Sequence, residues 1–171
     1  KVSARIPEAR EFIFIYDSTL SIAENAERAL RERWFGNASA RVCRELTSAF
    51  YDRFVVLPDN LARLKRILNM GGDTPLPVLN HFYMILRDPY YRWAAADWMP
   101  ERRDMGLLNV PVESFERDAR NIVPDSLGPK TLTRYRQNIL TALRDNGYLA
   151  GQSKKTIVSP ALPLPALAFM L

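Results

Sequence analysis

From the start of the chain to about residue 122, apolar residues return every three or four positions, the period of helices that bury one face. Pro, Gly and Asn mark the breaks. PEAREFIFIYDS opens with Pro7 at a first helical position, and STLSIAENAERALRERWF carries Ile22, Ala26 and Leu30 at four-residue spacing before Gly36-Asn37 stops it. Ser39 is the predicted N-cap of SARVCRELTSAFYDRF, whose Val42, Leu46, Phe50 and Phe54 form one apolar stripe. Pro58-Asp59 starts a helix with Leu61, Leu64 and Leu68 that stops at Gly71-Gly72. Asp73 or Thr74 caps LPVLNHFYMILRD, which is apolar on most sides and is the predicted most buried helix. After Asp88-Pro89 come the aromatic-rich helix PYYRWAAADWMP, a polar loop ERRDMGLLN, and a short helix PVESFERDARNIV that begins at Pro111.

The last third changes character. Asp125 to Pro129 reads as a turn, Thr131 as the N-cap of LTRYRQNILTALRDN, and Gly147 as its left-handed stop. Tyr148-Leu149-Ala150 and Thr156-Ile157-Val158 are β-prone runs separated by GQSKK. Helix, turn, helix and basic hairpin in that order predict a winged helix-turn-helix, with 111–122 as its first helix and 131–146 as the recognition helix. The expected fold class is therefore all-α, a multi-helix bundle of about six helices over residues 1–108. A C-terminal winged helix-turn-helix-like segment with a small β-hairpin, residues 109–171, is expected to pack on that body.

Charge sharpens this division. Lys130, Arg134, Arg136, Arg144, Lys154 and Lys155 lie between residues 128 and 155 against the single acid Asp145, a balance of +5, and the whole chain, with 24 Lys+Arg and 19 Asp+Glu, is also +5. The rest of the chain is neutral. A basic segment on a neutral body attracts a polyanion, and displaced counterions favour the contact at moderate salt. At about 100° per residue, Leu132, Tyr135, Ile139, Ala142 and Leu143 share one side of the predicted recognition helix, with Leu140 near its edge. Arg134, Gln137, Asn138, Thr141 and Arg144 share the other. Arg, Gln and Asn offer the forks that base edges and phosphates accept, and Thr131 and Thr133 stand at the helix N-terminus, where free N–H groups favour phosphate. Arg136 falls beside the apolar stripe, to snorkel to a phosphate or to pair with an acid of the body. Lys154 and Lys155 fall at the hairpin tip. The candidate DNA contacts are thus Lys130, Thr131, Thr133, Arg134, Arg136, Gln137, Asn138, Thr141, Arg144, Lys154 and Lys155; a solvated or protein-binding face is the competing reading of the same pattern.

Composition adds exclusions. With 171 residues, 47% hydrophobic and 25% charged, the chain is expected to build an ordinary globular core. No run reaches the roughly 20 apolar residues of a membrane span, and Pro160, Pro163 and Pro165 break the apolar tail TIVSPALPLPALAFML, which is expected to fold back on the body or else to continue into further residues. The lone Cys43 reads as a buried thiol in a cytoplasmic protein. The chain begins at Lys1 without methionine, so residues ahead of it are expected. No catalytic residue, metal ligand set or cofactor motif is expected: His81 sits among apolar neighbours as a hydrogen-bonded core histidine, and Gly71-Gly72-Asp73 lacks the continuation of a phosphate-binding loop. Arginines interleaved with carboxylates, as in AENAERALRER, read as surface ion pairs. Trp34, Trp93, Trp98 and Tyr90-Tyr91 read as core or subunit-interface aromatics ahead of a base-stacking platform.

Three stretches, LARLKRILNMGGDTPLPVLNHFYMILRDPYYR, FGNASARVCRELTSAFYDRF and TLTRYRQNILTALRDNGYL, resemble the BrxA family of BREX (bacteriophage exclusion) phage-defence systems. The last is similar to that family's C-terminal helix in its Thr-Leu start, spaced arginines and Gly-Tyr-Leu end. The resemblance implies a small, helical, non-enzymatic bacterial protein with likeness to NusB-type folds. It also implies double-stranded DNA as a ligand, with an ATPase, a DNA methyltransferase and a phosphatase-like protein as partners. It carries Arg134 and Arg136 over as functional positions; a homo-oligomer is left open. Alternatives are a protein-interaction scaffold of such a complex and a helical RNA-binding regulator of the antitermination type.

Overall fold

The computed structural model describes residues 3–57, 59–72, 74–122 and 129–170. The fold is mostly helical with a small three-stranded antiparallel sheet. In chain order the elements are α1 (Ile6–Ile15), α2 (Ile22–Arg31), α3 (Ala40–Phe54), α4 (Asn60–Gly71), α5 (Leu76–Arg87), α6 (Pro89–Arg92), α7 (Met99–Asp104), β1 (Asn109–Val110), α8 (Val112–Asp118), α9 (Pro129–Asp145), β2 (Leu149–Ala150), β3 (Lys155–Ile157) and α10 (Leu164–Met170). Two compact units result, one formed mainly by Ala4–Leu79 with Leu162–Leu171 and the other mainly by Asn80–Ala161. No described helix is long and apolar enough to cross a membrane.

In the first unit, local chemistry sets the helix starts. Ser21 and Glu24 form a capping box: the Ser21 hydroxyl accepts from the Glu24 N–H at 3.2 Å and the Glu24 carboxylate accepts from the Ser21 N–H at 2.8 Å. The Ser21 hydroxyl also donates to that carboxylate at 2.6 Å, and this bond, then the one from the N–H, holds the carboxyl below its ordinary pKa. Ser39 caps α3 as expected, accepting from the Val42 N–H. Gly72, at φ +62, ends α4 in a conformation that glycine adopts without strain. The helix faces differ from expectation in α2, where Asn25, Ala26 and Ala29 are buried while Ile22 and Leu30 are exposed. The Asn25 side chain accounts for the rotation. It donates to the carbonyls of Asp17, Leu20 and Ser21 and accepts from the Asp17 N–H, so the turn before the helix is bound to this residue and faces inward with it. Phe12, Phe50, Phe54 and Leu64 are fully buried, with Phe12 and Phe50 ring centroids 5.5 Å apart. Arg53 lies over the Phe50 and Phe54 rings and donates to the Ala4 carbonyl. Arg28–Glu32 and Arg41–Glu45 are i,i+4 ion pairs on exposed surface. The tail packs back through α10 on α4, with Arg63 over the Phe169 ring.

The second unit begins within α5, at Asn80, well before residue 109, and the tail from Leu162 groups with the first unit. Asp88 organises its first corner: one carboxylate oxygen accepts from the N–H groups of Tyr90 and Tyr91 at 3.0 and 3.1 Å, and Pro89 occupies the first helical turn. The chain continues through a π-helical turn, Trp93–Trp98, into α7, so the first residues of the expected loop ERRDMGLLN are helical. Trp98 buries its ring edge-on to Phe115 at 5.0 Å and donates its indole N–H to Asp118 at 3.0 Å, which fixes α8 against this run. A short 3₁₀ turn, Ala119–Asn121, extends α8. The end of the expected loop becomes β1. Its partner is β3, with Asn109 opposite Thr156 and Val110 opposite Lys155, and β2 pairs with the other edge of β3, giving the order β1-β3-β2.

Candidate nucleic-acid interface

α9 is anchored at both ends by polar contacts and along its length by apolar ones. Ile139, Leu140, Ala142 and Leu143 are buried, as the phasing requires. Near its start, the Tyr135 hydroxyl donates across both oxygens of Asp88 at 2.9 and 3.0 Å, while the Tyr90 ring meets the Tyr135 ring edge-on. Burial, then the adjacent Asp88 charge, pushes the Tyr135 phenol far above its ordinary pKa. At the far end Asn146 enters a buried network. Its amide donates to the Tyr91 hydroxyl at 2.8 Å and its carbonyl accepts from the Asn80 amide at 2.8 Å. The Tyr91 hydroxyl in turn lies 2.7 Å from His81 Nδ1. Burial pushes His81 down to about 4, so it is neutral at pH 7, and a neutral ring that accepts at Nδ1 carries its proton on Nε2. Tyr148 stacks on the His81 ring with centroids 3.6 Å apart, which ties the start of the hairpin to α5. Gly147, at φ +86, makes the left-handed stop between them.

The helix begins at Pro129, two residues before the expected cap, because a proline's fixed φ and missing N–H suit a first helical position. Thr131 therefore lies in the first turn. Thr131, Thr133, Arg134 and Gln137 are exposed, and Asn138 and Thr141 are half-buried. Arg144 is half-buried and forms an ion pair with Asp145 at 2.8 Å. Arg136 is buried, 5% exposed. The Lys130 and Leu132 side chains lie outside the described residues, as do residues 125–128 of the expected turn and the Asp73 cap.

Gly151 to Lys154 form the hairpin turn. Gly151 has φ +85, and a Cβ there would collide with the Lys154 carbonyl, so the turn is closed around a glycine. Gln152, Ser153 and Lys154 are exposed, whereas the Lys155 ammonium donates back to the Gln152 carbonyl at 2.7 Å. The five described basic side chains of the segment are thus unequal. Arg134 and Lys154 face solvent, Lys155 braces the turn, Arg144 is neutralised by Asp145, and Arg136 is inside.

Sequence reasoning missed β1, Asp88 as the anchor of α9, and Gly151. The Gly-Gln-Ser-Lys run was the available signal for the turn; the other two depend on partners 47 residues away in sequence. Among the described residues, no group of three or more His, Cys, Asp or Glu could hold a metal ion. Cys43 is buried, which raises its thiol pKa. Trp34 and Trp98 are buried in their separate units. An open cavity of about 440 Å³ in the first unit is lined by Ile6, Trp34, Phe35 and Leu76 among others. Compared with known proteins, the chain matches no family model and no curated protein sequence.

Proposed function

We propose that the chain is a non-enzymatic protein that binds duplex DNA through the N-terminal half of α9 and the β2–β3 turn. The observation that carries this is a long helix, buried along its C-terminal half, whose N-terminal half turns Thr131, Thr133, Arg134 and Gln137 to solvent in the unit that also exposes Lys154. The chain order strand, helix, helix, strand, strand, with the first strand closing on the last, agrees with a winged-helix reading and supplies a scaffold for such a helix. In this reading α9 enters the major groove and Lys154 follows the neighbouring backbone. By its resemblance to the BrxA family, the protein serves as an accessory subunit of a bacterial phage-defence complex, contributing position on DNA and no chemistry, and the helical body is of NusB type.

Fluorescence anisotropy with a mixed-sequence duplex, titrated at several salt concentrations, tests the reading. Arg134→Ala and Lys154→Ala each lower the slope of log affinity against log salt by roughly 1, while Arg41→Ala, on the first unit, leaves it unchanged. Identical affinity and slope in all three proteins refute it. Exposed Met105, Leu107 and Leu108 at the entry to β1 favour a second reading, a scaffold that docks on a partner protein of the same complex. Co-purification with a neighbour-encoded partner, without duplex binding at low salt, selects that one. Hairpin RNA outcompeting duplex DNA selects an RNA regulator instead.

A further inference from the structure

Arg136 is the one arginine of α9 that does not behave as a surface cation. It is 5% exposed, and solvent touches neither Nε nor Nη2, both of which lack a hydrogen-bond partner among the described residues. Among the described residues no carboxylate forms an ion pair with it, whereas Arg144, two turns further on, has Asp145. The two open nitrogens share one edge of the planar guanidinium. That edge presents two parallel N–H bonds at the spacing of two oxygens on one phosphorus or carbon. A buried cation with an empty bidentate edge costs free energy in the isolated chain, and an anion that takes both N–H bonds offsets that cost best.

The surroundings on the helix favour one outcome. A helical side chain leans over the preceding turn, here the turn of Thr133, which is exposed, and Arg134 and Gln137 beside it are exposed as well. Position 136 itself falls between the buried Leu143 and Leu140 on the helix, one row in from the exposed Thr133. A long flexible stem lets such a group turn outward without moving the backbone.

We propose that Arg136 is an oxyanion-binding residue, whose Nε–Nη2 edge leaves its buried position to hold two oxygens of a phosphate group. The phosphate comes from a nucleic-acid backbone or from free phosphate; the first source rests on the function proposed above, the second does not. Buried and unsatisfied in the free chain, the group exchanges an unfavourable site for a favourable one when the phosphate arrives, so stability and binding are coupled through one side chain.

The test compares wild type with Arg136→Met, which keeps the stem and removes the charge, and Arg136→Lys, which keeps the charge and removes the fork. Melting is measured in a chloride buffer and with added inorganic phosphate at matched ionic strength, and duplex affinity by anisotropy. The expected result is that Arg136→Met melts no lower than wild type without phosphate. Both variants lose the phosphate-induced rise in melting temperature, and duplex affinity falls about tenfold in both. In Arg136→Met the salt slope also falls by about 1. A lower melting temperature or failure to fold for Arg136→Met overturns the inference, because the guanidinium is then already satisfied within the chain. So does an unchanged phosphate response together with unchanged duplex affinity, even where Arg134→Ala weakens binding; the DNA reading then stands without Arg136. An Arg136-dependent phosphate response in a protein that binds no duplex supports the oxyanion site and refutes the DNA reading.

Discussion

Replacing Asn146 with alanine tests the anchor that holds the C-terminal end of α9. The side chain makes two hydrogen bonds of 2.8 Å, to the Tyr91 hydroxyl and from the Asn80 amide, and its amide also approaches the Met84 sulfur at 3.6 Å. It is 1% exposed, so water does not replace these contacts. Each hydrogen bond contributes about 1 kcal/mol net, and the space left by the amide adds about 1 kcal/mol. Asn146→Ala is therefore expected to cost about 3 kcal/mol, read as the shift of a urea transition followed by tryptophan fluorescence, since Trp93 and Trp98 belong to the same unit. The network also predicts coupling. Tyr91→Phe removes the hydroxyl that Asn146 and His81 share. The double variant should then cost less than the sum of the singles by about 1 kcal/mol. A loss below about 1 kcal/mol for Asn146→Ala, or strict additivity of the pair, refutes the network as an energetic unit and leaves α9 held by its apolar side and Tyr135 alone.

His81 makes the same region acid-sensitive. Its folded pKa is about 4 against an ordinary 6.5, so between these values the unfolded chain binds a proton that the folded chain does not. Stability therefore falls as pH drops through 6.5 and levels off below about 4, a total of about 3 kcal/mol. His81→Phe, which preserves the stack on Tyr148, should flatten that part of the stability profile; an unchanged slope between pH 6.5 and 4.5 refutes the assignment. Gly151→Ala should open the hairpin turn at a cost of about 1–2 kcal/mol, visible as faster amide exchange at β2 and β3 and weaker duplex binding. Exchange identical to wild type refutes the closed turn. Removing the capping box with Ser21→Ala should lower stability by about 1 kcal/mol with no change in DNA affinity, measured by urea denaturation and anisotropy; a matching loss of affinity would link α2 to the binding surface and contradict the assignment.

What the sequence alone settled lies within single elements, and what needed tertiary structure lies between them. Helix positions followed from period and punctuation, because Ser39, Asp88-Pro89, Gly72 and Gly147 act on backbone groups within a few residues. The apolar side of α9 was legible for the same reason: Ile139, Leu140, Ala142 and Leu143 recur with the helix, and a buried face must be continuous. β1 was not legible, since two residues carry no period and their pairing with β3 depends on a partner 47 residues away. Nor was the inward rotation of α2, which follows from the Asn25 side chain binding three carbonyls of the preceding turn. The charge count separated least of all. Basic residues look alike in a sequence, but burial of Arg136, the Asp145 partner of Arg144 and the Gln152 carbonyl under Lys155 divide the five described ones into distinct roles. A residue type specifies what a side chain can do; the dielectric around it and the groups within about 3 Å decide what it does.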